Sequence, residues 1–313
     1  MEILPNKIER ETEMLRELAR LAQPHADTSN GTLELLEVDP IKYPSQLDLH
    51  IEGNPQPPAV VESIASIAEP NFLKLVKKFN DYETNNQELS RIGQLLKGGN
   101  NVIVATNHGN LIDIALVEAA IYSSLNKLDY QFKTGIIISK MVAMLGYKLG
   151  NDSAPCADIL KILCDDVFLS FPRSESIKKS RLSRLLPNEI DRHNKLMRRL
   201  VKNKLDEGGM LLAVAPSGSK DRQNEHGGYT LQALKSGTID LIKHPKSYVL
   251  PVAIWLEGNE PMMEITNIPR LITSDEDAHQ MMNGIAKKLS DKVESTDFKY
   301  NSPQNIGRTA LSQ

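Results

Sequence analysis

The chain has 313 residues, 40% hydrophobic and 25% charged, with a formal net charge of −3. That is the balance of a folded cytosolic protein. It excludes a chain that is basic overall, so no nucleic acid partner is expected, and any affinity for an anion must come from a local patch. Two cysteines, Cys156 and Cys164, are too few for a secreted disulfide framework and read as buried reduced thiols. The length suggests one large domain with a small one beside it. The first twenty residues carry early acids and no apolar core, so they resemble neither a signal peptide nor a transit peptide. No run approaches the roughly 18 apolar residues of a bilayer span. The expectation is a cytoplasmic protein whose contact with a membrane is peripheral.

In chain order, residues 1–98 read as a helical N-terminal region with an irregular insert. Ile8 to Gln23 carries Leu15, Leu18, Ala19 and Ala22 at helical spacing. Residues 24–58 are rich in Pro, Asn, Asp and Gly and have little regularity. Two further helices are predicted, Ala59 to Phe79 with a break at Pro70, and Asn85 to Lys97, stopped by Gly98, Gly99 and Asn100.

From residue 99 to 296 the pattern becomes α/β. The run NVIVAT precedes a helix from Asp113 to Asn126, and GIIIS precedes a helical stretch. DVFLSF leads to a helix from Asn188 to Glu207, and MLLAVA to one from Tyr229 to His244. YVLPVAIW and MMEITNI then precede a last helix from Asp275 to Val293. Apolar strands alternating with helices predict a mixed, largely buried sheet flanked by helices. Residues 297–313 read as a polar tail.

The sharpest local signal is Asn107-His108-Gly109-Asn110-Leu111-Ile112-Asp113, where a strand gives way to a helix. Positions five apart on one helix diverge by about 140°. His108 and Asp113 therefore meet only if His108 lies in the turn before the helix. Gly109 is expected to supply that turn and Asn110 the N-cap. Asp113 then falls in the first helical turn, where the dipole favours its anion. A carboxylate beside an imidazole fixes the tautomer and stabilises the imidazolium formed on proton abstraction. The blander account is a capping Asp beside an incidental His, since short motifs match freely.

The second signal is Ala215-Pro216-Ser217-Gly218-Ser219-Lys220-Asp221-Arg222. The turn through Ser217, Gly218 and Ser219 presents backbone N–H groups to an anion or a developing oxyanion. In an extended segment Lys220 and Arg222 project to one side as a phosphate clamp. A solvated Lys-Asp-Arg loop is the ordinary alternative. Ser217 lacks the Gly-x-Ser-x-Gly setting of a nucleophile.

Together the two blocks resemble the glycerol-3-phosphate acyltransferases, in particular the soluble plastid type. Asn107-His108-(four residues)-Asp113 matches the His-x4-Asp block of the glycerolipid acyltransferase superfamily. Ala215-Pro216-Ser217-Gly218 with Asp221-Arg222 is similar to the plastid Ala-Pro-Ser-Gly-Gly-Arg-Asp-Arg block, and Val249-Leu250-Pro251-Val252 to the strand that follows it. The resemblance spans Asn101 to Leu271. It implies His108 as general base, Asp113 as its partner, and Lys220 and Arg222 as ligands of the acceptor phosphate. Lys220 replaces an Arg of that pattern and loses the bidentate fork. The plastid Ser-Lys-Lys-His block appears as Phe171-Pro172-Arg173-Ser174, in which Arg173 alone supplies charge.

Between Ser176 and Lys204 ten Lys/Arg stand against Glu189 and Asp191. Such a run fits an acidic carrier protein or an anionic membrane surface, or else a solvated helix face. No histidine has metal-ligand spacing, and no cofactor is expected. The reaction implied is acyl transfer from acyl carrier protein or acyl-CoA to glycerol-3-phosphate. Lysophosphatidic acid is a second acceptor, a thioester hydrolase the alternative of another class, and a non-catalytic lipid or carrier-protein binding module a third.

Overall fold

A computed structural model describes residues 50–52, 55–109, 113–132, 140–146, 160, 163–170, 187–217, 222–223, 229–258, 260–293 and 298–300. The helices among them are α1 (Pro58–Ala68), α2 (Phe72–Asp81), α3 (Glu83–Lys97), α4 (Asp113–Phe132), α5 (Pro187–Glu207), α6 (Ser236–Ile242) and α7 (Asp275–Lys292). The strands of the main sheet are β1 (His50–Glu52), β2 (Asn101–Thr106), β3 (Lys140–Gly146), β4 (Asp166–Ser170), β5 (Met210–Val214), β8 (Ser247–Glu257), β9 (Glu260–Ile265) and β10 (Arg270–Leu271). A small sheet contains β6 (Arg222–Gln223), β7 (Tyr229–Leu231) and β11 (Phe298–Tyr300).

The main sheet runs β1-β4-β3-β5-β2-β8-β10, with β9 also paired to β8. Neighbours from β4 to β8 are parallel, and β1, β9 and β10 join antiparallel. The fold is thus the expected α/β class with a mixed sheet. Side chains alternate between its two faces, as the pleat requires. Val102, Val104, Leu211, Ala213, Leu250 and Val252 pack under α1 to α4. Ile103, Ala105, Leu212, Val214, Val249 and Ala253 pack against α5, α6 and α7. Helices α1, α2 and α3 contribute Ile64, Phe72, Phe79, Leu89 and Ile92 to the same apolar cluster as α4.

Local sequence accounts for several boundaries. Gly99 and Gly208 take φ of 77° and 78°, and a Cβ at Gly208 would collide with the carbonyl oxygen of Gly99. Gly208 has no room for a side chain, whereas Gly99 is favoured by its left-handed φ alone. Ser274 and Asp277 form a capping box that starts α7. Pro251 lies within the buried β8, where a missing N–H would ordinarily break a ladder. On its outer side β8 pairs with β10 at Tyr248 and Val249 and with β9 from Val252 onward. Pro251 falls in the gap, and its carbonyl still accepts from the Thr266 N–H at 2.9 Å.

Four expectations need correction, the first being that His50–Glu52, read within the irregular 24–58 connection, pair antiparallel with β4. Residues 140–146, read as part of a helix, form β3 between β4 and β5, because parallel ladders on both sides override the helix preference of Met, Ala and Leu. Tyr229 to Leu231, read as the start of a helix, pair with Phe298–Tyr300, so the helix there begins only at Ser236. Phe298–Tyr300, read as part of the polar tail, form a strand, as two aromatics flanking Lys299 suit a pleated ladder. The Ile8–Gln23 helix, the GIIIS run, Cys156 and residues 301–313 lie outside the described residues. Among the described residues no helix is long and apolar enough to cross a membrane.

Candidate active site

His108 and Ser217 leave the sheet side by side. Strands β2 and β5 are parallel neighbours in register from Val102 opposite Leu211 to Ala105 opposite Val214. Three residues beyond that last rung are His108 on one chain segment and Ser217 on the other, both at the carboxyl ends of their strands. The helix that follows β2, α4, packs on one face of the sheet, and the helix that follows β5, α6, packs on the other. A pair of adjacent parallel strands whose connections part in this way is a topological switch point, where open α/β sheets bind ligands.

His108 and Asp113 are both buried, at 6% and 7% exposure. Asp113 stands in the first turn of α4, as its spacing predicts, and its carboxylate folds back over the turn. Its Oδ2 lies 3.6 Å from where a Cβ at Gly109 would sit, one residue from His108. Gly109 itself is not among the left-handed glycines, and a side chain there would meet only ordinary contact. The turn therefore does not depend on glycine freedom, contrary to the expectation from sequence.

The residue before His108 is tied down. Asn107, 5% exposed, donates from Nδ2 to the Ile254 carbonyl at 2.8 Å and accepts at Oδ1 from the Ile254 N–H at 2.8 Å. Asn101 plays a similar part at the other end of β2. It donates to the Leu205 carbonyl at 2.8 Å and to Ser247 Oγ at 3.3 Å, and accepts from the Met210 N–H at 3.1 Å.

Ser217 is buried at 3%, and the Pro216 carbonyl beside it accepts from the Lys235 N–H at 3.3 Å. This bond ties the turn after β5 to the start of α6. The backbone of Arg222 pairs with Thr230 in the small sheet. Gly218, Ser219, Lys220, Arg173 and Asn110 lie outside the described residues. The structure thus sets His108 and Ser217 just beyond the carboxyl ends of neighbouring strands, with Asp113 in the first turn of α4.

Sequence reasoning passed over Glu118. It lies on α4 at 0% exposure, within the otherwise apolar run Ile114 to Ile121. Neither carboxyl oxygen has a full hydrogen bond among the described residues. Burial pushes its carboxyl well above the ordinary range, offset in part by the weak donor thiol of Cys164 beside it. A single acid inside an apolar helix face was the available signal.

A cleft of about 1040 Å³ lies elsewhere, lined by Glu62, Asp81, Asn86, Ser90, Asn126 and Lys127 among others. It borders the carboxyl half of α4, at least ~15 Å along the helix from Asp113 at 1.5 Å per residue. No group of His, Cys, Asp and Glu suited to a metal ion occurs among the described residues.

Fold and site together define a class: an α/β protein with a buried His and Asp at the switch point of its parallel strands. No protein-family model matches the chain, and no curated protein sequence matches it.

Proposed function

We propose that the chain is a glycerolipid acyltransferase that moves a fatty acyl group from a thioester to the hydroxyl of glycerol-3-phosphate. The observation that supports this reading is that His108 and the Pro216–Ser217 turn follow the carboxyl ends of two neighbouring parallel strands. A base and a set of backbone N–H groups are what addition to an acyl carbonyl needs. His108 removes the acceptor hydroxyl proton as the oxygen attacks the thioester carbonyl. The tetrahedral oxyanion is held at the turn through Ser217, Gly218 and Ser219. Its collapse forms the ester and expels the donor thiolate, which takes the proton back from the imidazolium. Lys220, Arg222 and Arg173 hold the acceptor phosphate, and no cofactor takes part. The deciding experiment is mass spectrometry of the products from protein, acyl thioester and a panel of hydroxyl acceptors. Lysophosphatidic acid as product supports the reading, and acyl transfer to lysophosphatidic acid redirects it to the second acceptor. Free fatty acid formed without any acceptor favours a hydrolase.

If the phosphate clamp exists, Lys220→Ala and Arg222→Ala raise the acceptor KM roughly 10- to 150-fold, because a hydrogen bond to a charged group contributes ~1.5–3 kcal/mol. Arg222→Ala is the worse of the two, since it removes a planar fork. The donor KM stays nearly unchanged. Equal rates with glycerol and glycerol-3-phosphate in the wild type would show that no clamp exists.

The donor reading draws support from α5. Asn194, Met197, Val201 and Leu205 face the core, while Arg192, Lys195, Arg199 and Lys202 are exposed around Leu196. This cationic stripe complements an acidic carrier protein. Lys195→Glu with Arg199→Glu is expected to raise the KM for an acyl carrier protein donor and leave that for acyl-CoA unchanged. An equal rise for both donors would count against docking there. We place the protein in the cytoplasm on the same reading, with peripheral contact to anionic lipid through 176–204 as the other use of these cations.

A further inference from the structure

Strand β8 runs on past the end of its neighbour. The last β2 rung sets Thr106 beside Val252, whereas β8 continues to Glu257. Ile254 is still buried there, at 5% exposure. Beyond the last rung, its backbone N–H and C=O on the β2 side would be buried without a backbone partner. A buried peptide group left unpaired is costly, and native chains almost always supply a substitute. Here the substitute is the Asn107 carboxamide, with both bonds at 2.8 Å. Like a peptide group, a carboxamide offers a donor and an acceptor. An ionised Asp at 107 would offer acceptors only, and Gln would carry the group one methylene further out.

We infer that Asn107 is a positioning residue for His108. Its side chain extends the β2–β8 ladder by one rung after the backbone of β2 has turned away. That rung pins the peptide immediately before His108 to a rigid strand, and so fixes where the imidazole emerges relative to Asp113. Asn107 touches the reaction through His108 alone. For its kinetic readout the inference rests on the proposed acyl transfer, whereas its spectroscopic readout does not.

The test compares the full-length wild type with Asn107→Ala and Asn107→Asp. Two quantities are read: steady-state kinetics of acyl transfer, and the titration of the His108 ring by NMR, assigned against His108→Ala. A misplaced catalytic group costs up to about 100-fold in rate. The expected result is a kcat reduced ~10- to 100-fold with both KM values within about threefold of wild type, together with a displaced His108 titration curve. A lowered melting temperature with kcat and the His108 curve both unchanged would make Asn107 a strand terminator and nothing more, overturning the inference. A fall in kcat without any change at His108 overturns it equally, because the effect would then travel by another route. If Asn107→Ala does not fold, Asn107→Asp decides, since it keeps the acceptor for the Ile254 N–H. Absence of acyl transfer by the wild type would sink the proposed function, yet the His108 titration would still decide whether Asn107 places the ring.

Discussion

His108→Ala is expected to remove nearly all acyl transfer while the chain stays folded. General-base catalysis is typically worth ~10²–10⁴ in rate, so turnover should fall to about a hundredth or less. Circular dichroism and initial rates with a saturating thioester check the two halves of the statement. A well-folded variant that keeps more than about a tenth of wild-type turnover would exclude His108 as the base. Asp113→Asn separates catalysis from capping. Removing an acid from the first turn of α4 costs only ~0.3–1 kcal/mol through the helix dipole. A variant that loses melting temperature but keeps kcat would return Asp113 to the role of a helix cap, whereas a loss of kcat beyond about tenfold needs the orienting charge.

The second large effect concerns stability and pH at Glu118. Its carboxyl is held well above the ordinary value of 4.5, chiefly by burial. The unfolded chain therefore releases this proton at a lower pH than the folded one. Between the two values the folded state binds more protons, and stability falls as pH rises. The contribution is fully present below the ordinary carboxyl value and is lost towards the raised one. Within that window the slope approaches about 1.4 kcal/mol per pH unit, or tenfold in the folding constant. Glu118→Gln removes the titration without changing the shape of the side chain. Its advantage over wild type should widen as the pH rises above the ordinary carboxyl range, measured by urea unfolding at each pH. The comparison cancels groups common to both chains, such as Asp277, whose hydrogen bonds to Ser274 and Thr273 hold its carboxyl low. Parallel curves would mean that Glu118 is ionised and solvated in the native state.

The sequence was most informative where apolar runs were continuous. NVIVAT, MLLAV and the long run through Trp255 had to be central strands, since both faces of each are buried. Lys140–Gly146 has the same fate without the same signature. Its Met, Ala and Leu suit a helix equally well, and the ladders that decide the matter come from β4 and β5. The His108–Asp113 spacing and the turn at Ser217 were both legible, being local. That they lie side by side was not, because the β2–β5 register joins residues more than a hundred positions apart. Asn107 could be read as part of a motif, but its partner Ile254 could not, for the same reason.

The order of strands also constrains when this protein can become whole. Asn101 at the foot of β2 pairs with Met210 across 109 residues and with Ser247 across 146. Both flanks of β2 are thus filled by segments synthesised long after it. Until β8 leaves the ribosome, the fully buried strand β2 has an open edge, and loops this long close slowly. Chains truncated before Ser247 should therefore aggregate instead of retaining partial structure. Because the Ile254 rung holds the residue before His108, the turn that carries His108 would be among the last parts of the molecule to set.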